Sequence, residues 1–221
     1  PFHDAAGAVV DGRLYVFGGG DAATTATVQD FDPATRRGTV AGRLPLPLSD
    51  LAATTVAGAV YLVGGYDGRR PQRAIYRTLD GRHFARVGTL PVGLRYPAVA
   101  GVDGGILVAG GTGPGGASDL ALFFDPADGR LTRIGRLPAP VAHAAAVVLG
   151  GIAYVLGGTG STGAPAGSVV AIDPRSRRIS LVAARVPVHD AAAVSLPHAA
   201  FLIGGATAAG TTSAVRRVAR G

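Results

Sequence analysis

Six amino acids never occur in this 221-residue chain: cysteine, methionine, tryptophan, lysine, glutamate and asparagine. Without cysteine there is no disulfide, no thiolate nucleophile and no thiolate-ligated zinc. Without lysine the glycine-rich segments cannot be phosphate-cradling loops of the Gly-x-x-x-x-Gly-Lys-Ser/Thr kind. No apolar run approaches the ~18 residues that a membrane-spanning helix needs. The chain begins at Pro1 and not at methionine, as expected of a processed or trimmed product. A GC-rich genome accounts for the residue usage without any functional cause. Nothing in the sequence calls for a cofactor.

All 21 basic residues are arginine and all 14 acidic ones are aspartate, for a net charge of +7. Such a surface attracts anions, but the arginines sit singly or in pairs within turns, without interleaved aromatics or a basic helix face. A specific nucleic-acid partner is therefore not expected. At 48% apolar and 16% charged, the chain has the composition of a packed globule.

Glycine is what the chain has in abundance, and it is ordered. Pairs fall at Gly18-Gly19, Gly64-Gly65, Gly110-Gly111, Gly157-Gly158 and Gly204-Gly205, spaced by 46, 46, 47 and 47 residues. Aligned backward from each pair, the segments HDAAGAVVDGRLYVF, SDLAATTVAGAVYLV, RYPAVAGVDGGILVA, AHAAAVVLGGIAYVL and HDAAAVSLPHAAFLI need no gap. A fixed period of this length marks a repeat architecture. Each unit reads as four strands. A small apolar strand (5–10) turns at Asp11-Gly12 or Asp103-Gly104 into a β-branched, aromatic second strand. A loop follows the glycines; the third strand ends at "FDP" or "IDP" and the fourth at "LP" or "VP". Asp32, Asp125, Asp173 and Asp80 read as turn residues. Repeated four-stranded units of this size close into a β-propeller.

These features resemble the kelch motif: the Ala/Val run, Gly-x-x-Tyr-Val-x-Gly-Gly with Tyr15, Tyr61 and Tyr154, the hydrophobic-Asp-Pro turn and the closing Leu-Pro. The resemblance covers nearly the whole chain. It implies an all-β, five-bladed β-propeller of kelch-like four-stranded repeats, a single domain over 1–221. The fourth-strand tryptophan of the motif is absent, and Phe84, Leu131 and Ile179 are expected to take its place. Repeat five stops after its third strand (213–220), so the last blade is expected to be three-stranded. Closure of the ring would set His3-Asp4 beside His189-Asp190.

Loops held on a rigid scaffold carry function. The segments before each first strand and after each glycine pair share one face. Fourteen residues before each first glycine stand Asp4, Asp50, Tyr96, His143 and Asp190, polar groups opening otherwise apolar strands. One position earlier are His3, Ser49, Arg95, Ala142 and His189. The loop "YDGRRPQRA" adds Tyr66, Asp67, Arg69, Arg70 and Arg73, whose guanidinium forks suit carboxylates, phosphates and sugar hydroxyls. Aromatic platforms at the mouth are Tyr66, Tyr96 and Phe2.

The candidate ligand-binding set is accordingly His3, Asp4, Asp50, Tyr66, Asp67, Arg69, Arg70, Arg73, Arg95, Tyr96, His143, His189 and Asp190. Capping of strand ends is the competing role for the rim groups. Three imidazoles with two carboxylates would also suit a metal or acid–base chemistry if they converged. The resemblance implies a non-catalytic, monomeric binding module for a protein or glycan ligand, of the bacterial secreted or cell-surface kind. The alternative is a carbohydrate-active enzyme of the mutarotase or epimerase type. A cysteine-dependent copper oxidase is excluded.

Overall fold

Four of the five inner hairpins turn through two residues of positive φ: Asp11-Gly12, Ala57-Gly58, Asp103-Gly104 and Gly150-Gly151. This is the type I′ geometry whose twist matches that of the flanking strands. The fifth hairpin turns at Pro197-His198, where the proline ring holds φ negative. In the computed structural model, which describes residues 3–219, these hairpins are the inner halves of five antiparallel sheets set in a ring, a five-bladed β-propeller. No described residue is helical, and no helix is long and apolar enough to cross a membrane.

Blade one comprises Ala6–Val10, Arg13–Phe17, Thr27–Asp32 and Arg37–Arg43. Blades two to four repeat it from Ala52–Val56, Ala98–Val102 and Ala145–Leu149 as their first strands. Blade five has three strands, Ala192–Leu196, Ala199–Ile203 and Val215–Val218, as expected, with Arg220 outside the described residues. Each blade is paired in chain order from the channel outward. The outermost pair carries a register shift in each of blades one to four.

Both faces of an interior blade are buried, so its strands are apolar on both sides. Ala59–Val63 and Gly105–Ala109 are buried throughout. Phe84, Leu131 and Ile179 pack against the cores between blades, filling the place of the missing tryptophan. Four such cores join blades one to two, two to three, three to four and four to five. Among the described residues no fifth core joins blade five to blade one. Asp4 and Asp190 both border the channel mouth, but among the described residues no hydrogen bond joins His3-Asp4 to His189-Asp190.

The glycine pairs sit where the chain passes from one blade to the next. The second glycine's N–H donates to the linker carbonyl just ahead of the next blade: Gly19 to Leu48 at 2.7 Å, and Gly65 to Leu94, Gly111 to Val141 and Gly158 to Val188, each at 2.8 Å. A Cβ on the first glycine would strike that same carbonyl, at 2.1 Å for Gly18 and Gly157. Side chains are excluded there by the crossing strand as well as by φ.

The far face is built of turns, as the sequence suggests. Asp32, Asp125, Asp173 and Asp80 each accept backbone N–H groups two or three residues on. Arg13 is held there by the buried Asp30, and Arg175 by Asp103. A buried carboxylate, Asp30, that the sequence does not single out is satisfied by Arg13 and the Thr39 hydroxyl.

Candidate functional site

The five rim residues are structurally equivalent in a way that explains why they are polar. Asp4, Asp50, Tyr96, His143 and Asp190 all adopt left-handed backbone, with φ between 49° and 58°. The residue before each pairs with the loop after a glycine pair: His3 with Gly20, Ser49 with Tyr66, Arg95 with Thr112, Ala142 with Thr159, His189 with Ala206. The chain must then swing sharply to enter the first strand beside the channel. Asp and His tolerate this region better than most residues, whereas for Tyr96 the conformation costs about 1–2 kcal/mol. The rim is tied backbone to backbone. Asp50 N–H donates to Asp4, Tyr96 to Asp50, His143 to Tyr96 and Asp190 to His143, at 2.8, 2.8, 3.4 and 3.0 Å.

On this frame the side chains form two adjoining hollows. One, of about 460 Å³, lies on the loop face over blades one to three, lined among others by His3, Asp4, Tyr66, Asp67, Arg69 and Arg95. The other, of about 340 Å³, is the channel mouth itself, bounded by Asp4, Asp50, Tyr96, His143 and Asp190. Asp4, Asp50 and Tyr96 belong to both.

Arg95 is the keystone between blades two and three. Its Nε donates to the buried Asp50 carboxylate at 2.5 Å, and its guanidinium stands 4.1 Å over the Tyr66 ring and 5.3 Å from that of Tyr96. Burial works against the Arg95 charge, but Asp50 outweighs it and holds its pKa above the usual value. Tyr96 stacks on His143 with ring centroids 3.9 Å apart. Burial, then the Asp50 carboxylate, pushes the Tyr96 phenol well above its usual range, so it stays a neutral hydroxyl.

The histidines do not converge on one point. His143 Nδ1 lies 2.6 Å from one oxygen of Asp190 and His189 Nδ1 lies 2.7 Å from the other, while His3 pairs with Asp4 at 2.6 Å. Among the described residues no group of three or more His, Cys, Asp or Glu is placed to hold a metal ion. Burial pushes the Asp190 carboxyl up, yet the two imidazoles bring it below its usual value.

Asp67 organises its own loop. Its Oδ1 accepts the N–H groups of Arg69 and Arg70 at 2.8 Å each, and its Oδ2 accepts from Gln72 at 2.7 Å. Arg69 faces the larger hollow. Arg70 and Arg73 turn instead into a separate cleft with Gln72, Tyr76 and Arg86, where Arg73 Nε donates to the Leu90 carbonyl. Phe2 lies outside the described residues. The structure adds Asp21, Thr24 and Ser49 to the wall of the larger hollow. The signal for the first two was their place after the first glycine pair, the counterpart of the Tyr66 loop.

Asp30, Asp32, Asp67, Asp80, Asp173 and Asp190 all have carboxyl pKa values below the ordinary one. For Asp30 the leading cause is the Thr39 hydroxyl, and for Asp32 and Asp80 it is backbone N–H groups. Groups shifted downward add stability that is present above the unfolded-state value and lost as pH falls through the folded one. His3, raised by Asp4, acts oppositely: its contribution is present below 6.5 and lost as pH rises through its folded value. The melting temperature is expected to hold near neutrality and drop below about pH 4. A profile flat down to pH 2 would contradict the carboxylate pairing.

Residues 1–37 match the Kelch motif family model. No curated protein matches the chain in sequence. Among solved structures, one described as "Structure of YjhT" superposes with a TM-score of 0.78 at 17% identity, covering 94% of this chain and 73% of that one. At that identity the likeness is one of fold. The motif and the fold together support a kelch-repeat β-propeller, an architecture that serves as a binding module in general.

Proposed function

We propose that the chain is a non-catalytic binding module whose loop face takes a protein or glycan ligand, and that a glycan unit is the better fit. The observation that carries this reading is the concave hollow of about 460 Å³ over blades one to three. Its size is that of a small-ligand site, and a broad flat surface for a protein partner would lack it. Asp4, Asp67 and Arg69 offer acceptors and a forked donor to hydroxyl groups, and Tyr66 offers ring surface. The rigid blades hold these groups in place before the ligand arrives, which lowers the ordering cost of binding. We place the protein outside the cytoplasm, secreted or at the cell surface, on the kelch resemblance alone.

The test is a glycan array followed by calorimetry on any hit, with Tyr66→Ala and Arg69→Ala as probes. Each substitution should weaken binding at least ~10-fold, the scale of losing a ring contact or a charged hydrogen bond, with little change in melting temperature. Undiminished binding would move the site off this hollow. A second reading, a mutarotase-like enzyme, is favoured by the carboxylate-held imidazole of His143, an acid–base arrangement. Polarimetry of freshly dissolved sugars separates the two: accelerated anomer exchange that is lost in His143→Gln would make the protein an enzyme.

A further inference from the structure

Among the described residues ten large hydrophobic side chains are exposed, and eight of them lie on just two surfaces. Val9, Leu14, Phe31 and Val40 are on the side of blade one turned away from blade two. Val194, Leu196, Ile203 and Val215 are on the side of blade five turned away from blade four. The register joins members of each set directly. Val9 is paired with Leu14 and Leu14 with Phe31 across three strands, and Ile203 is paired with Val215. Contiguous apolar patches on an otherwise polar surface mark interaction sites.

The repeat shows what each position requires. Leu196 is 50% exposed, whereas its counterparts Val10, Val56, Val102 and Leu149 are buried by the blade that follows them. Ile203 is 41% exposed, whereas Phe17, Val63, Ala109 and Leu156 are buried. On the other surface Leu14 is 38% exposed, and Val60, Ile106, Ala153 and Ala200 at the same position are fully buried by the preceding blade.

Backbone groups tell the same story independently. The rim series of N–H to carbonyl bonds has four links, and the described residues hold no partner for the Asp190 carbonyl or the Asp4 N–H at its ends. Among the described residues no linker carbonyl accepts from Gly205 N–H, unlike the other four second glycines.

We propose that the seam between blades five and one is a docking site for one further antiparallel blade of this same repeat type. Its inner strand would be small and apolar, and a linker ahead of it would carry a carbonyl to Gly205. A blade of that kind satisfies both apolar surfaces and both ends of the rim series at once, by an interface the chain already uses four times. A second copy of the chain satisfies only one surface of each seam, because the far side of its terminal blade is occupied by its own neighbour.

The test extends the chain after Ala219, in place of Arg220 and Gly221, with a second copy of residues 174–219. In register this supplies a fourth strand to blade five and three strands of another blade. The extended protein should bind several-fold less of a hydrophobic dye than the 221-residue chain, melt several degrees higher, and slow amide exchange at Val9 and Leu14. Leu14→Arg should leave the unextended chain within about 2 °C of its melting temperature, because that face is open, yet remove most of the gain in the extended one. An appended repeat that stays protease-labile, or an unchanged melting temperature, overturns the proposal. So does sedimentation showing that the 221-residue chain self-associates and hides its dye-binding surface, which would assign the seam to a second copy.

Discussion

Gly157→Ala is expected to destabilise the protein by roughly 3–5 kcal/mol, while Gly204→Ala, the same motif position one blade later, should cost only about 1–2 kcal/mol. Both glycines have nearly the same left-handed backbone, φ 66° and 65°, so the intrinsic penalty for a side chain is shared. Their surroundings differ. A Cβ at Gly157 would lie 2.1 Å from the Val188 carbonyl oxygen and 2.8 Å from that of Val186, both on the segment linking blade four to blade five. At Gly204 the nearest atom is the Thr212 carbonyl oxygen at 3.4 Å. The first substitution therefore forces the inter-blade linker to move and strains the bond from Gly158 to Val188, whereas the second needs a shift of a few tenths of an ångström. For a chain of this size the difference corresponds to several degrees in melting temperature. Equal losses at the two sites would mean that φ alone explains the glycine pairs and that the linker crossing is incidental.

How much of this was legible in the sequence follows from what a period can encode. Local rules carried far: the Asp-Gly hairpins, the Asp-Pro turns, the polar position opening each first strand and the three-stranded last blade follow from spacing and residue type. Closure did not. The repeat states what each face must pack against, but the number of wedges needed to bring the last face to the first depends on the angle between blades, which no single repeat displays. The site shows the same division. The rim residues stood out because Asp4, Tyr96 or His143 interrupts a run of Ala and Val. The choice of partner did not, since Asp190 takes His143 from the blade before and His189 from the position next to it, and not His3. Arg69, Arg70 and Arg73 were indistinguishable in the sequence. Asp67 gathers two N–H groups and Gln72 into a tight loop that sends the first arginine to the mouth and the other two to the cleft beside Tyr76. Asp30 was missed because a carboxylate in the middle of a strand looks solvent-facing until Arg13 is seen to reach it.

Arg95→Leu should be the most damaging substitution at the mouth, lowering stability by about 2–4 kcal/mol, because removing one partner of a buried ion pair leaves the other charge uncompensated. The Asp50 side chain is only 2% exposed, so water cannot take over the role of the guanidinium. Burial of the leucine stem does not offset the loss, and the cation over the Tyr66 ring goes with it. The double-mutant cycle with Asp50→Asn isolates the cause. In the Asp50→Asn background no carboxylate is left to strand, so Arg95→Leu should cost less than half of what it costs in the native chain. The same cycle bears on binding. Tyr66 and Tyr96 take their positions from this pair, so Arg95→Leu should weaken any ligand bound in the hollow even if the ligand never touches Arg95. In Arg69→Ala the loss of binding should come without loss of stability. Additive stability effects of Arg95→Leu and Asp50→Asn would show that the two residues do not work as a unit, and the clamp joining blades two and three would have to be sought elsewhere.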